Sequence, residues 1–547
     1  MSSVAPRGAS AVDSAFDEHA FRRKIPYDPE TEQEKYALYE ALIPVLRARK
    51  PSDRPRILVV TDIEQDYDDL LAIIFLSEMH RLGLVELAGF VTNHGDSLRR
   101  AKFLRTILHL LGLGHVEVAK GTLGVEDRSK VGWLIGSYYE LKNATFSEQK
   151  WNREPFRDGI ELMHSLAREV DEGKEPLTVL LISSLQDISE YLHTHDHDPE
   201  YLRSHFKKFV SQGGYIFESR HIKAAPPAAP VWATTEEIAR GEFDLIPNHT
   251  MANNGWHLTA ARHYTKTLQD LKLPSDAWSR EAAKAARLEG NLFADLADNG
   301  PIGAHLKWLY LRQEFKFYWD PFNAPFIPRL NKDWYYSTRL VLDPDPKKEP
   351  RQSFLKQPPS FQDVLPYTNA IAYDGCAAMG AVGDDVMRAL GIMDEHLPDY
   401  NVVAYPHRIF GRGEDDLGGI DGVRLRECLR TFIFGALTAT RESAERLIPS
   451  MSVRHDHVQY KTDLHIFHHQ MPYLKESKMY EAELDRKDLS DQVKKELQEK
   501  NAALKTERLD GELSEFPKVP APKDIPYELL YKEAISPQPV QTGAGRS

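Results

Sequence analysis

The chain has 547 residues and a net charge of −13, from 69 Lys and Arg against 82 Asp and Glu. That balance speaks against a nucleic-acid-binding surface and against attraction to anionic membranes. Only two cysteines are present, Cys376 and Cys428, which excludes a disulfide scaffold and fits a reducing, cytoplasmic compartment.

Hydrophobic content of 41% and charged content of 28% are ordinary for a globular protein. The length suits two or three domains, or one large α/β domain with extensions. No apolar run approaches the roughly 20 residues that span a bilayer. Met1 to Ala15 is small and polar, without the apolar stretch of a signal peptide.

Residues 1–25 read as a disordered arm. Thr31 to Arg49 is expected to be a helix, with Tyr36, Leu38, Leu42, Val45 and Leu46 as its apolar positions. Pro51, Ser52 and Pro55 then separate it from a first strand at Ile57 to Val60. That run is β-branched and does not alternate, as in a buried parallel strand. From 56 to about 265 strand and helix patterns alternate, which predicts a parallel sheet. Expected strands are Val85–Thr92, Val116–Ala119, Leu177–Ile182 and Phe206–Val210; expected helices are Leu70–Leu76, Ser97–Gly112 and one after Leu185.

Ala224 to Pro230 reads as a linker or surface loop. Residues 300–345 are dense in aromatics, among them Trp308, Tyr310, Phe317, Tyr318, Trp334, Tyr335 and Tyr336, and predict a packed helical layer or the wall of an aromatic pocket. Asp343 to Pro359 is a polar, Pro-rich break. Residues 365–395 resume a helical pattern. Tyr480 to Leu509 is a charged helix with a thin apolar stripe, and 515–547 read as extended or disordered chain. The expected organisation is an arm and helix over 1–55, an α/β domain over 56–455 with a doubly wound, mostly parallel sheet and a helical cap, and a helical, partly disordered extension over 456–547.

The chemistry concentrates where the first strand hands over to its helix. Asp62, Glu64, Asp66, Asp68 and Asp69 crowd into eight residues. In open α/β sheets ligands bind at that edge, outside the carboxyl ends of the strands. Carboxylates so close repel one another unless a cation neutralises them. Oxygen-only ligands point to a hard cation, Ca²⁺ or Mg²⁺. The plain alternative is a solvated acidic loop before a helix N-terminus, where Asp is favoured anyway.

Asp62-Ile-Glu-Gln-Asp-Tyr-Asp-Asp resembles the signature Asp-x-Asp-Pro-Gly-x-Asp-Asp of the inosine–uridine-preferring nucleoside hydrolase family. Weaker matches follow in family order over roughly 56–395. Val91 to Asp96 resembles a segment ending Gly-Asn, and Ala101 to Gly121 a helix–strand unit. Leu181 to Asp187 is similar to Gly-Pro-Leu-Thr-Asn, and Ser211 to Gly214 to Met-Gly-Gly. Asn253-Asn254 before Leu258 resembles an Asn-bearing turn, and Ile371 to Asp374 a late His-Asp.

The resemblance implies a nucleoside hydrolase-like fold that cleaves the N-glycosidic bond of a small-molecule nucleoside with bound Ca²⁺. It implies Asp69, Asp374, Glu64 and the carbonyl of Ile182 as metal ligands, and Asp68 as the base that deprotonates the metal-bound water. Asp62, Asp96, Asn253 and Asn254 fall at substrate-contacting positions, and Tyr373 at that of the acid serving the leaving group. The chemistry is coherent without the family. Ribosyl cleavage passes through an oxocarbenium-like state, a cation orients hydroxyls and acidifies water, and a carboxylate takes the proton.

The chain departs from the signature. Gln65 and Asp66 replace its Pro and Gly, Glu64 is one methylene longer than Asp, and Tyr373 replaces a His. These departures leave a catalytically inactive binding protein as one alternative. A Mg²⁺-dependent phosphohydrolase using Asp62 as nucleophile is another, although Glu64 spoils the Asp-x-Asp it needs. The base, the riboside and the oligomeric state, a homo-oligomer included, stay open. His193, His195 and His197, the cluster His455, His457, His465, His468 and His469, and the acidic Gly411–Gly419 segment read as solvated or packed residues without a metal or phosphate role. Cys376 reads as a packed thiol.

Overall fold

The computed structural model describes residues 16–64, 66–126, 144–195, 198–221, 231–323, 332–340, 364–453 and 491–504. The linker at 224–230, the break at 343–359, His197, the histidines of 455–469 and the tail from 515 lie outside these residues.

Eleven strands are described: β1 (Arg56–Thr61), β2 (Glu86–Thr92), β3 (Glu117–Lys120), β4 (Leu177–Ile182), β5 (Phe206–Gln212), β6 (Tyr215–Ser219), β7 (Phe243–Pro247), β8 (Ser275–Trp278), β9 (Leu288–Glu289), β10 (Asn369–Ala370) and β11 (His407–Phe410). Seven form one sheet in the order β11-β8-β5-β4-β1-β2-β3. Every neighbouring pair in it is parallel. The chain runs outward from β1 through β2 to β3, then returns to β4 and runs outward the other way. The direction of winding therefore reverses between β1 and β4, where the crossovers diverge and leave a crevice at the strand ends.

β1 is buried along its whole length. Leu58 and Val60 join Val179, Leu181, Leu162, Leu166, Ile188 and Leu192 in one core. By strand alternation Ile57 and Val59 face the other way. Helices cover both faces, which is why the strand shows no polar alternation. The helix Asp68–Leu82 is buried at every position from Asp68 to Met79. It packs between the helices Tyr373–Val382 and Gly422–Leu447.

The expected helix over 31–49 is two helices, Gln33–Glu40 and Ile43–Ala48. Pro44 lies in the first turn of the second. Proline lacks an N–H and is tolerated at a helix start rather than inside one.

β8 and β11 carry no apolar run, and their polar residues answer each other. Arg408 of β11 donates to both oxygens of the buried Asp276 of β8, at 2.7 and 2.8 Å, and to Asp384 at 2.6 and 2.9 Å. Lys208 of β5 also pairs with Asp276. Tyr215–Ser219 and Phe243–Pro247 form a separate antiparallel pair.

The chain divides into two compact units, Met1–Tyr310 with Asn369–Ser450, and Leu311–Thr368 with Met451–Ser547. The parallel sheet belongs to the first. There Tyr310 stacks on Phe293 with ring centres 4.2 Å apart. In the second, Arg339 pairs with the buried Glu314, and Phe317 meets Trp334 edge-on at 5.4 Å. The described aromatics of 308–336 thus make packed ring contacts. Among the described residues no helix is long and apolar enough to cross a membrane.

Removing Arg408 would leave Asp276 buried with Lys208 alone. Arg408→Met is expected to destabilise the protein by about 3 kcal/mol, the lower end for a broken buried pair. Urea denaturation checks this, and a loss below about 1 kcal/mol would mean that Lys208 suffices to neutralise Asp276.

Candidate metal-binding and catalytic site

β1 ends at Thr61, and residues 62–67 lead into the helix Asp68–Leu82. Asp66, Asp68 and Asp69 bring carboxylate oxygens to within 4.8 Å of one another, a cluster able to hold a metal ion. Asp374, 305 positions after Asp69, lies in the first turn of the helix Tyr373–Val382 and adds its charge to theirs. Asp62, Asp68, Asp69 and Asp374 are all buried. The Thr61 hydroxyl donates to Asp69. Ile182 pairs with Thr61 across β1 and β4, so the end of β4 lies beside the cluster.

Burial and then the charge of Asp374 push Asp68 well above the usual carboxyl range. Burial and Asp62 do the same to Asp69, and burial and Asp69 to Asp374. Asp62 is the exception. Burial alone would raise it, but hydrogen bonding and charge from His94, with Arg100 and Ser183, hold it low. His94 Nδ1 lies 3.1 Å from Asp62 Oδ2.

The remaining predicted residues are placed as follows. Glu64 is buried with a left-handed φ of 83°, and its carboxylate lies 3.3 Å from the Arg99 guanidinium. Such a conformation costs about 1–3 kcal/mol in a non-glycine residue and persists where surrounding contacts impose it. Asp96 is exposed and caps the helix Ser97–Leu110, accepting from the Arg99 N–H at 3.0 Å. Asn253 is buried and donates to Gln212 Oε1 at 2.8 Å. Asn254 donates to the carbonyls of Gly214 and Asn248 at 2.6 and 3.0 Å, which ties the loop after β5 to the turn before the helix Ala252–Trp256. Tyr373 is half-buried, next to Asp374.

Several residues beyond those predicted hold the site. Arg100, itself buried, donates to the carbonyls of His94 at 2.7 Å, Ile63 at 2.8 Å, and Asp62. One guanidinium thus pins the loops after β1 and β2 together. Its signal was present: an Arg one helical turn before Leu104, on the face of Ile107, Leu108 and Leu111. His94, at φ 59°, stacks on Trp256 with ring centres 4.4 Å apart.

Behind them Asp187, fully buried and pushed by burial up to about 6, accepts from Asn93 Nδ2 at 2.6 Å. It also accepts from the Thr122 N–H and hydroxyl, each at 2.8 Å. Gly121 makes this approach feasible, since a Cβ there would lie 2.3 Å from Asp187 Oδ1.

No family model matches the chain, and no curated protein matches it. Among solved structures it is similar to the effector protein XOO4466, at 19% identity and a TM-score of 0.55 over 74% of this chain and 99% of that one. It is similar to the type III effector XopQ, solved in complex with adenosine diphosphate ribose, at 20% identity and a TM-score of 0.56 over 74% and 99%. These two likenesses show a shared fold. A purine-preferring ribonucleoside hydrolase from Gardnerella vaginalis matches less well, at 15% identity and a TM-score of 0.39 over 70% and 99%.

The raised carboxyls fix a sign for pH dependence. Without metal the folded state keeps protons on Asp68, Asp69 and Asp374 that the unfolded chain, with carboxyls near 4, has released. Their contribution therefore makes the folded state less stable as pH rises above about 4. In a chelator, the urea midpoint of Asp374→Asn relative to wild type is expected to rise between about pH 5 and about pH 8. A difference independent of pH would contradict this.

Proposed function

We propose that this chain is an N-glycosidase that cleaves a ribonucleoside or related N-riboside at the C-terminal edge of its sheet, with Ca²⁺ as the resident cation. The observation that carries the reading is the carboxylate cluster of half-buried Asp66 and buried Asp68 and Asp69, with Asp374 charged against it. A donor set made only of oxygens, buried and crowded with like charge, fits a hard cation. Asp69, Asp374 and the Ile182 carbonyl would hold it. Asp66 takes part from the position where the resembled signature has Gly, while the Glu64 carboxylate rests on Arg99. When bound, the cation neutralises these carboxylates, orients sugar hydroxyls and acidifies the attacking water.

In this reading Asp68 accepts the proton of the attacking water. Asp62, steadied by His94, and Asn253, steadied by Gln212, hold sugar hydroxyls. The carboxylates also favour the positive charge that develops on the ribosyl ring. Tyr373 donates to the departing base, a weak acid at neutral pH with a reference pKa of about 10. The adenosine diphosphate ribose bound by XopQ contains an N-riboside, which makes it a suitable first probe.

A second reading, a site that binds the riboside without turnover, is favoured by one observation. Glu64, at a ligand position of the resembled signature, is turned to Arg99. Calorimetry together with release of the free base from nucleosides, nicotinamide riboside and adenosine diphosphate ribose (adenine from the last) separates the two. Binding without release of the base would leave only the second.

Asp69→Ala and Asp374→Ala are each expected to abolish Ca²⁺ binding, read by calorimetry. Asp68→Asn should leave that affinity within several-fold and lower turnover by about 10²–10⁴. Unchanged turnover would assign the base to another group.

Tyr373→Phe is expected to slow nucleosides with poor leaving groups while nearly sparing a p-nitrophenyl riboside, whose leaving group needs little protonation. Equal losses on both substrates would remove Tyr373 from the chemistry.

A further inference from the structure

His94 stands against Asp62 in a left-handed conformation, at φ 59°. A non-glycine residue keeps such a conformation only where its surroundings impose it. The loop after β3, residues 121–126, imposes it from several sides. Gly95 donates its N–H to the Leu123 carbonyl at 2.8 Å. Gly124 lies so close that a Cβ there would be 2.7 Å from His94 Cα. Glu126 donates its N–H to the Trp256 carbonyl at 2.9 Å, and the Trp256 ring stacks on the His94 ring.

That loop has an anchor. Thr122 gives its N–H to Asp187 Oδ1 and its hydroxyl to Oδ2. Oδ2 also accepts from Asn93, the residue before His94. The Asn93 amide is fixed on its other sides by the turn after β4, donating to the Ser184 carbonyl at 2.8 Å and accepting from the Ser183 hydroxyl. Both chain neighbours of His94 are thus tied to one carboxylate, Asn93 directly and Gly95 through the loop.

We propose that Asp187 is a positioning residue of the riboside site: its ionised carboxylate anchors the loop after β3, and that loop holds His94 in the conformation that sets its ring against Asp62. This rests on the functional reading above, in which Asp62 steadied by His94 holds sugar hydroxyls, and adds the residue that governs the pair. All three partners of the carboxylate are donors, so a proton added to it finds an acceptor only if one of them turns away. Burial places that proton's uptake near pH 6. The charge acting on Asp187 is Glu190, in its own helix. Val91, Gly121 and Gly159, which pack against it from other elements, do not titrate. Lys120 and Asp158, beside two of them in the chain, are exposed.

The test is calorimetry on the full chain with Ca²⁺ alone and with adenosine diphosphate ribose in excess Ca²⁺, from about pH 5 to about pH 8. Asp187→Asn sets an NH₂ group against at least one of the three donors. It is expected to weaken the nucleotide about tenfold at about pH 7.5 and to leave Ca²⁺ affinity within several-fold. Wild type should lose nucleotide affinity as pH falls through about 6. The variant has no proton to gain there, so the ratio between the two should shrink below about threefold near pH 5. Thr122→Val keeps the shape and the N–H but removes one donor, and should move the fall in affinity to higher pH. It carries the test if Asp187→Asn folds poorly. In a His94→Ala background Asp187→Asn should add nothing, because it acts through His94.

Equal nucleotide binding by wild type and Asp187→Asn would overturn the positioning role and leave the functional reading standing. So would a ratio constant across pH, or an unmoved Thr122→Val profile, which would mark Asp187 as structural support alone. Additive losses from Asp187→Asn and His94→Ala would overturn the route through His94. A parallel loss of Ca²⁺ affinity would assign the anchor to the cation and overturn its part in holding the sugar. If wild type binds neither probe, the functional reading falls and this proposal falls with it.

Discussion

Like charge held out of water is the constraint around which this protein is built. Asp68, Asp69 and Asp374 come from two helices that meet only in the fold, and each is pushed toward its neutral form by burial first and then by a neighbouring carboxylate, Asp374 on Asp68, Asp62 on Asp69 and Asp69 on Asp374. Separating them into solvent would relieve the repulsion, but the helix Asp68–Leu82 is buried on every side and leaves no such freedom. The surrounding polar groups read as answers to this problem. Thr61 donates to Asp69, His94 stands against Asp62, and Arg99 holds Glu64. Arg100 supplies positive charge while closing the carbonyls of two loops. These groups steady the rim of the cluster, and a hard cation is the chemistry that would complete its centre.

The place of the cluster follows from topology. Chain connections diverge between β1 and β4, and the crevice this opens lies beside the ends of both strands. β1 supplies the acidic loop, β2 supplies Asn93 and His94, and β4 supplies Ile182 and the serine turn. Behind them one buried carboxylate, Asp187, gathers Thr122 and Asn93. It can do so because Gly121 leaves the room that any Cβ would fill.

Much of this was legible in the chain itself, and the exceptions have a common cause. β1, β2, β4 and β5 are apolar runs covered on both faces, so composition alone marks them. The acidic loop is conspicuous for the same reason in reverse, as charge where a buried strand ends. β8 and β11 escaped notice because Asp276 and Arg408 satisfy each other across 132 positions, and neither strand then needs an apolar pattern. His94 and Asp187 gain their roles only from partners distant in sequence. Arg100 could have been found, since it interrupts the apolar face of an amphipathic helix, and a buried Arg always has a partner to be sought. Glu64 reads as a metal ligand in sequence, and in the fold its carboxylate lies 3.3 Å from the Arg99 guanidinium. That pairing depends on a left-handed φ and on a residue from the next strand–helix unit.

The central claim is that the carboxylates converge to hold a cation. A crystal grown with Ca²⁺, measured at a wavelength where calcium scatters anomalously, tests it directly. The account predicts an anomalous peak about 2.3–2.6 Å from carboxylate oxygens of both Asp69 and Asp374. Carboxylates that remain close together with no peak between them, their oxygens joined by shared protons instead, would contradict it.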